Sequence, residues 1–530
     1  MAETEKIFYN GDILTMEDHL EAEAVWIKDG KIEALGSKEA ILALKTEETE
    51  LVDLQGKTLM PAFIDAHSHI SALAQTLALV SLSECRSIEE IIDKLKAFRE
   101  SRKLPDGKWI VGFGYDHNFL AEKRHPDRAD LDRVSEVNPV LISHVSGHMG
   151  IVNSLGLETL GIREDTPDPA GGRYGHVEGT ARLNGYLEES AFINQAKGIM
   201  KPEIEELAKA VQAAQDIYLA NGITTVQEGL AGKRDLEVLA YAAENQKLKV
   251  DVVAYLDLAQ EELLQEENSP YLKKYQNHLK IGGYKLVLDG SPQGKTAWLT
   301  KPYEGEESYR GNPTHTDAYV EQSVRKALQE NRQLLTHCNG DAAADQLIHA
   351  FQKAAQEYPI RIRPVMIHAQ TVRNDQIQEM KRMGMIPSYF VAHVYYWGDI
   401  HMQNLGERAY HISPAGTTAR EKLVFTLHQD TPVIAPNMLE TVWCAVNRMT
   451  QSGVCLGAEE RLGVYDALKA VTVNAAYQYF EEESKGSIAE GKRADLIILD
   501  RNPLKTDRAD LKNIRVLETY KDGLRVWSSR

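Results

Sequence analysis

Eight short apolar runs, separated by helical stretches, constrain the fold of this chain more than any other feature of its sequence. The runs lie at 58–65, 222–227, 249–256, 281–288, 333–336, 363–367, 385–391 and 422–427. Several of them carry apolar side chains on both faces, as strands buried within a parallel sheet do. About eight strand–helix units in succession predict an α/β chain whose central domain is a (β/α)8 barrel of the TIM type.

The two ends of the chain have a different pattern. Short strand-like runs punctuated by Asn-Gly and Asp-Gly pairs, which favour hairpins, occur in 1–57, and similar runs around glycine turns occur in 479–530. We predict that these two segments together form one small β-sandwich domain. The segment between them, 58–478, is then the barrel domain.

A long interval separates the first predicted barrel strand from the second. It far exceeds the usual length of a loop within a domain. The interval contains its own predicted helix, at 87–102, and its own predicted strands, at 108–114 and 139–145. We therefore predict a folded insertion over about 71–200, long enough to cover the mouth of the barrel and enclose a small organic substrate.

Charge and cysteine content exclude several classes of partner. The chain has 60 Lys and Arg against 78 Asp and Glu, a net charge of −18, which repels nucleic acids and anionic membranes. Its four cysteines are scattered and form no CxxC pair, which argues against a disulfide framework and a thiolate zinc site. No apolar run approaches about 18 residues. We therefore expect a soluble, cytoplasmic protein that acts on a small molecule, with neither a nucleic acid nor a membrane as partner.

Polar residues with metal-binding side chains follow the predicted barrel strands or lie within them. The first run leads into Asp65-Ala-His-Ser-His69, in which His67 and His69 alternate and so point to the same side. The later runs supply Lys285, His337, His368 and Asp430. In a barrel these six positions face one mouth, where active sites of this architecture lie. Imidazole and carboxylate ligands suit zinc, or else manganese or iron.

Each of these residues also has a purely structural interpretation. A single His or Asp at a strand end is usually a hydrogen-bonded loop residue, and an isolated His-x-His is a weak signal. Lys285, if buried, would pair with a carboxylate such as Asp289, and as an ammonium it cannot bind a metal. The coincidence of compatible ligands at one end of one predicted barrel is what favours a metal site.

The segments that contain these residues resemble the metal-dependent amidohydrolase superfamily over nearly the whole chain. They are Pro61-Ala-Phe-Ile-Asp-Ala-His-Ser-His69, Tyr284-Lys-Leu-Val-Leu-Asp-Gly290, His337-Cys-Asn-Gly-Asp341, His368-Ala-Gln370, Gln429-Asp-Thr-Pro432 and Gly486-Ser-Ile-Ala-Glu-Gly-Lys-Arg-Ala-Asp-Leu-Ile497. Within the superfamily, the chain resembles the amidohydrolase-3 group, which includes YtcJ-like proteins and N-substituted formamide deformylases. The substrate does not follow from this resemblance.

The resemblance implies a binuclear centre of divalent metal ions, two zinc ions or else manganese or iron. His67, His69 and Asp430 would hold the more buried ion, and His337 and His368 the more exposed one. Lys285 matches a lysine that such enzymes commonly carry in N-carboxylated form, with two oxygens that bridge the ions. A single ion without this modification is the alternative.

The same resemblance implies roles for residues around the metals. A metal-activated hydroxide would attack a carbonyl group, and Asp430 would take its proton and return it to the leaving nitrogen. We expect His148, in the insertion, and His393, after the seventh strand, to line the substrate pocket and orient the carbonyl or the leaving group. A homodimer is plausible for such enzymes, although no segment of the sequence indicates it.

Three kinds of function remain open at this point. We favour hydrolysis of a carbon–nitrogen bond other than a peptide bond, in an amide or N-substituted formamide. The second is a deaminase, dipeptidase or lactonase activity at the same metal site. The third, a regulator without catalysis, is disfavoured because every ligand position is occupied by a suitable residue. The sequence contains no Walker A, GxGxxG, HExxH or G-x-S-x-G motif that would indicate another chemistry.

Overall fold

Both ends of the chain contribute strands to a single sheet of eight strands. In the computed structural model, which describes residues 5–199, 203–258, 260 and 270–529, the N-terminal strands are β1 (Glu5–Leu14), β2 (Glu21–Lys28), β3 (Lys31–Gly36), β4 (Glu50–Asp53) and β5 (Thr58–Pro61). The C-terminal strands are β20 (Leu496–Leu499), β21 (Val516–Lys521) and β22 (Leu524–Ser528). β5 pairs antiparallel with β20 and so joins the two ends. Residues 1, 200 and 530, at which predicted domain segments begin or end, lie outside the described residues.

Residues Leu73–Ala210 form a unit of their own, while Met1–Ala72 and Val211–Arg530 form the other. The predicted helix at 87–102 corresponds to α3 (Ile88–Arg102), and the predicted strands correspond to β8 (Ile110–Tyr115) and β9 (Val140–His144). In the unit Leu73–Ala210, β8 and β9 belong to a sheet of six strands. The other four strands are β7 (Val80–Ser81), β10 (Met149–Val152), β11 (Gly172–His176) and β12 (Leu183–Glu189). The remaining helices of the first 199 residues are α1 (Lys38–Leu42), α2 (Ile70–Ala78), α4 (Arg128–Asp132), α5 (Ser154–Thr159) and α6 (Ser190–Ile199).

Eight parallel strands form the third sheet, in which each strand pairs with the next one of the sheet along the chain. They are β6 (Phe63–Ile64), β13 (Ile223–Ala231), β14 (Asp251–Asp257), β15 (Leu279–Val287), β16 (Gln333–Cys338), β17 (Val365–His368), β18 (Ile386–Tyr389) and β19 (Thr426–Leu427). Each overlaps one of the eight apolar runs, and most of their residues are buried, as strands covered on both faces should be. The predicted α/β class is confirmed.

The predicted first barrel strand, at 58–65, is two strands in the structure. β5 belongs to the terminal sheet, whereas β6 belongs to the parallel sheet. Between them, Ala62 donates its N–H to Asp495 O, and Phe63 donates its N–H to Gly222 O, so the chain changes its partner between these two residues. A continuous apolar run fits either sheet equally well, which is why the sequence does not reveal the change.

The described residues from 204 onward contain ten α-helices, several of which contact strands of the parallel sheet. They are α7 (Ile204–Ala220), α8 (Lys233–Glu244), α9 (Asp317–Gln329), α10 (Asp341–Ala354), α11 (Asn374–Met383), α12 (His393–Leu405), α13 (Ala415–Arg420), α14 (Met438–Asn447), α15 (Val464–Ala470) and α16 (Val473–Gln478). In α9, the Thr316 side chain caps the N-terminus, and Val320, Val324 and Ala327 are buried at helical spacing. Among the described residues, no helix is both long and apolar enough to cross a membrane.

Candidate metal centre

The six residues that the sequence analysis proposed as metal ligands lie along or just after strands of the parallel sheet. His67 and His69 follow β6, and Asp430 follows β19. The others belong to β15, β16 and β17 and are Lys285, His337 and His368. Two backbone hydrogen bonds also join the segments after the first and last strands, from His69 N–H to Thr431 O at 2.8 Å and from Asp430 N–H to His67 O at 3.2 Å.

One carboxylate oxygen faces two of the imidazoles. Asp430 Oδ1 lies 3.5 Å from His67 Nε2 and 3.4 Å from His69 Nε2. Ligands that hold one zinc ion with bonds of about 2.1 Å are separated by about 3.4 Å when the geometry is tetrahedral. Lys285 Nζ lies beside them, 3.3 Å from His67 Nε2. Asp430 Oδ1 therefore lies at ligand spacing from each of the two imidazoles.

The second carboxylate oxygen faces a different pair of imidazoles. Asp430 Oδ2 lies 3.9 Å from His368 Nε2, which in turn lies 3.1 Å from His337 Nδ1. His67, His368 and Asp430 each offer a ligand atom within 4.8 Å of the other two. Among the described residues of this centre, His67, His368 and Asp430 are thus the three that come close enough together to share one ion, while His69 lies beside Asp430 and His337 beside His368.

Gln227, a residue that the sequence analysis did not single out, orients His67. Its Nε2 donates to Ala66 O at 2.9 Å, which leaves its Oε1 to face His67 Nδ1 at 2.5 Å. An amide oxygen only accepts, so the neutral His67 ring carries its proton on Nδ1. The lone pair of Nε2 is then free for a metal, an arrangement that outer partners of ligating histidines commonly enforce.

His428 orients the ring of His368 in the same way. His428 Nε2 lies 3.2 Å from His368 Nδ1, and His428 Nδ1 lies 2.8 Å from Ser388 Oγ. A proton on each Nδ1 satisfies both contacts and leaves His368 Nε2 free. The sequence analysis did not name His428 among the site residues. Its position two residues before Asp430 is the signal that could have identified it.

Glu228 is a third residue that the sequence analysis missed. Its Oε1 lies 3.5 Å from His69 Nδ1, while its Oε2 accepts the N–H of Ser71 at 2.8 Å. Glu228 belongs to β13, directly after Gln227, and its backbone forms a bridge with His69. Because it fixes the Nδ1 side of the His69 ring, the Nε2 side is held toward Asp430.

Burial controls the protonation of the group. Burial lowers the pKa of His67 and His368, and it lowers the pKa of His337 to about 4. The charge of Lys285 also lowers the pKa of His67 and His337. Burial also lowers the pKa of Lys285 to about 7. Against the effect of burial, Asp430 and Glu228 raise the pKa of His69 to about 9. Most of the imidazoles are therefore held in the neutral form that binds metals.

Asp289, the structural partner that the sequence suggested for Lys285, has other contacts. Its carboxylate accepts backbone N–H groups from Trp298 at 3.0 Å, Asn339 at 2.9 Å and Gly340 at 2.7 Å. The Lys285 amine lies 3.3 Å from His67 Nε2, and the charge that raises its pKa against the effect of burial is that of Asp430. Lys285 therefore belongs to the candidate metal centre rather than to a separate ion pair.

The two predicted pocket residues lie in different units of the chain. His393 begins α12 and is buried against Phe390 and Trp397, with its Nδ1 3.2 Å from His401 Nε2. Burial and the neighbouring His401 lower the pKa of His393, whereas the Asp430 charge raises it. His148 belongs to the unit Leu73–Ala210, where its largely exposed ring lies 3.0 Å from Glu189.

A parallel α/β sheet that gathers imidazoles, a lysine and a carboxylate around a cation-sized space is the arrangement of a metal-dependent hydrolase. Residues 50–527 match the profile of the Amidohydrolase family. The chain belongs to this family, and the prediction of a metal-dependent amidohydrolase is confirmed.

Relatives cover nearly the full length of the chain. The YtcJ amidohydrolase of Bacillus subtilis (strain 168) is 28% identical over 538 residues, which cover 98% of this chain and 99% of that protein. The N-substituted formamide deformylase of Arthrobacter pascens is 25% identical over 516 residues, 95% of this chain and 94% of the relative. The crystal structure of an uncharacterized metal-dependent hydrolase from Pyrococcus furiosus is similar with a TM-score of 0.76 and 25% identity, over 94% of this chain and 100% of that one.

Proposed function

We propose that this enzyme hydrolyses a carbon–nitrogen bond other than a peptide bond, in an amide or N-substituted formamide of a small organic molecule. The observation that carries the proposal is the position of Asp430, whose Oδ1 lies within 3.5 Å of His67 and His69 and whose Oδ2 lies 3.9 Å from His368. The family supports the reaction class, and the full-length similarity to an N-substituted formamide deformylase supports the substrate class. A deaminase, dipeptidase or lactonase activity at the same centre is the alternative.

We propose that the parallel sheet closes into a (β/α)8 barrel, 58–478, which carries this centre. The backbone hydrogen bonds between the segments after β6 and β19 support closure, because they link the first and last strands of the sheet. The sheet built from both chain ends supports a terminal β-sandwich domain of 1–57 and 479–530. The separate unit Leu73–Ala210 supports an insertion after the first barrel strand.

The donors present fit a pair of divalent ions, zinc or else manganese or iron. His67, His69 and Asp430 would hold one ion, and His337 and His368 the other, since neutral nitrogens and a carboxylate oxygen are ligands that these metals prefer. When bound, the metal would supply Lewis acidity and an activated water at neutral pH.

Asp430 is the residue that moves protons in this proposal. Its carboxylate takes a proton from the attacking water and returns it to the nitrogen of the leaving group. Although burial opposes its ionisation, the neighbouring histidines, His69 foremost, hold the pKa of Asp430 well below its usual range, so it starts the cycle as a base. His393 and His148 would orient the carbonyl or the leaving group.

Lys285 would take part as a carbamate. Its neutral amine would form a bond from Nζ to the carbon of CO2 and release one proton, which replaces a neutral group by an anion with two ligand oxygens. The buried position of Nζ, 3.3 Å from His67 Nε2, puts the modified group among the imidazoles.

Metal content per chain tests the centre. We expect about two divalent ions by elemental analysis of the wild type, and one or none after Lys285→Ala, because the bridging group is lost. Lys280→Ala is the matched control, since Lys280 is also buried on β15 but contacts Glu481. One ion that is unaffected by the Lys285 change would instead support a mononuclear centre without carboxylation.

A substrate panel tests the reaction. N-formyl and N-acyl amines would be compared with aminated heterocycles, dipeptides and lactones, each with zinc or manganese supplied. We expect turnover of the formyl and acyl amines. Activity confined to the heterocycles, dipeptides or lactones would replace the proposed reaction by the corresponding alternative.

A further inference from the structure

A second group of metal-binding side chains lies within the unit Leu73–Ala210, and the proposed function uses none of its members. Asp116, His117 and His144 each offer a ligand atom within 4.8 Å of the other two. His117 Nδ1 lies 3.3 Å from His144 Nε2. Asp116 Oδ1 lies 3.8 Å from the first of these nitrogens and 3.6 Å from the second. The three atoms thus form a nearly regular triangle.

The sheet of this unit brings the three residues together. β8 and β9 are parallel neighbours, and Tyr115 at the end of β8 stands opposite His144 at the end of β9. Asp116 and His117 directly follow β8. Because the carboxyl ends of adjacent parallel strands meet at one edge of a sheet, residues 27 positions apart in sequence come into contact there.

The dimensions of the triangle fit a transition-metal ion. An ion about 2.1 Å from each of three ligand atoms requires them to be about 3.4 to 3.6 Å apart. The observed separations of 3.3, 3.6 and 3.8 Å need only slight movement to meet that condition. Two imidazole nitrogens and one carboxylate oxygen are a donor set that favours zinc and its neighbours over magnesium or calcium.

Neighbouring groups hold the rings in place. Ser146 holds the His144 ring with Nε2 toward His117 and Asp116, because its backbone N–H donates to His144 Nδ1 at 3.1 Å and its Oγ lies 2.9 Å from the same nitrogen. When Nε2 binds a metal, the ring proton moves to Nδ1, where Ser146 Oγ accepts it. The ring of His125 stacks on that of His117 with centroids 3.9 Å apart, and the buried Tyr115 hydroxyl contacts His125 Nδ1 at 2.9 Å. Such outer contacts are the usual means by which proteins orient metal-ligating histidines.

The cluster is partly open to water. The side chain of His144 is 9% exposed, that of Asp116 22% and that of His117 29%. A fourth ligand can therefore come from solvent, as in three-residue zinc sites.

We propose that Asp116, His117 and His144 bind a divalent transition-metal ion, zinc by preference, as a site separate in its ligands from the centre around Asp430. The ion would join the ends of β8 and β9 and so stabilise the unit Leu73–Ala210. This proposal does not depend on the reaction that the enzyme catalyses.

Metal counting tests the proposal. The full chain is stripped with a chelator, dialysed against buffered Zn²⁺ and analysed for bound metal. We expect Asp116→Asn combined with His144→Ala to reduce the content by one ion per chain, however many ions the other centre holds. The control is His176→Ala, which removes an exposed histidine of the same unit. If the double variant does not fold, His117→Gln provides the same comparison.

The same comparison in a second background separates the two centres. The double variant His67→Ala with His69→Ala weakens the centre around Asp430. When this variant is loaded with Co²⁺ in place of Zn²⁺, we expect it to retain one ion that is visible by absorption. That ion should be lost when the Asp116 and His144 substitutions are added. Equal metal content with and without these substitutions, in the wild type and in this background, would overturn the proposal. A wild-type chain that binds an ion at Asp116, His117 and His144 but none at the centre around Asp430 would count against the proposed function and not against this site.

Discussion

At the scale of single residues, the contact between Gln227 and His67 leads to a prediction about metal affinity. Gln227→Leu removes the acceptor that keeps the His67 proton on Nδ1, so Nε2 is no longer reserved for a metal. Loss of such outer partners lowers metal affinity by about 10- to 100-fold. We expect a loss of that size for zinc, measured by competition with a chelator of known affinity.

Gln333→Leu is the matched control for this substitution. Gln333 is also a buried amide on the parallel sheet, but its partners are the Tyr255 hydroxyl and the backbone carbonyls of Arg363 and Gln478. It should lose stability without a comparable loss of zinc affinity. If the two variants bind zinc equally well, Gln227 does not position the metal ligand.

The sequence permits the prediction of ligands that follow strands but not of the residues that orient them. His67 and His69 are recognisable because alternation on an extended chain puts them on one side. Gln227 contacts His67 from 160 positions away, and His428 contacts His368 from 60 positions away. Buried polar residues on strands are common and usually structural, so only the packed sheet shows which of them touch a ligand.

At the scale of elements, the close approach of β15 to β16 at Gly283 leads to a prediction about stability and metal content. A Cβ at Gly283 would lie 2.1 Å from the backbone carbonyl oxygen of Gln333, its partner on β16. A backbone atom cannot rotate away from a new Cβ as the end of a flexible side chain can. Gly283→Ala must therefore push β15 and β16 apart, two residues before Lys285. We expect a loss of about 1–3 kcal/mol of stability, together with reduced metal content.

Gly36→Ala provides the control for this substitution. Gly36 ends β3, and a Cβ there meets no atom within 4 Å. Its replacement should leave thermal unfolding and metal content nearly unchanged. A Gly283→Ala variant that melts and binds metal like the wild type would show that β15 and β16 adjust without displacing Lys285.

Some strands of the parallel sheet can be predicted from the sequence pattern, and others cannot. The long strands β13 and β15 have enough apolar, β-branched residues to be recognised. β6 and β19 are two residues each, and the predicted runs around them are longer, at 58–65 and 422–427. Their extent depends on hydrogen-bond partners that are distant in sequence, such as the pairing of β5 with β20, and no local pattern encodes those.

At the scale of the whole chain, a buried charge network connects the terminal sheet to the parallel sheet. Asp251, which begins β14, lies 2.6 Å from Lys485 Nζ and 3.0 Å from Lys521 Nζ. Lys521 ends β21 and also contacts Asp495 at 3.0 Å. Asp251→Asn leaves two buried ammonium groups with less compensation, a change that typically costs about 3–5 kcal/mol. We expect a clear fall in melting temperature at pH 7.

The pH dependence of that difference follows from the pKa of Asp251. Burial alone would raise this pKa, but Lys485 and Lys521 outweigh burial and hold it well below its ordinary value. A carboxylate with a lowered folded-state pKa stabilises the protein above the unfolded-state pKa, about 3.9, and progressively less as the pH falls below that value. The melting difference between wild type and Asp251→Asn should therefore be constant from about pH 5 to 8 and shrink below about pH 4.

The control is Asp216→Asn, which breaks an exposed pair with Lys249 and should shift the melting temperature little at any of these pH values. A difference between wild type and Asp251→Asn that stays the same down to pH 3 would mean that the carboxylate of Asp251 is not the group that joins the two sheets.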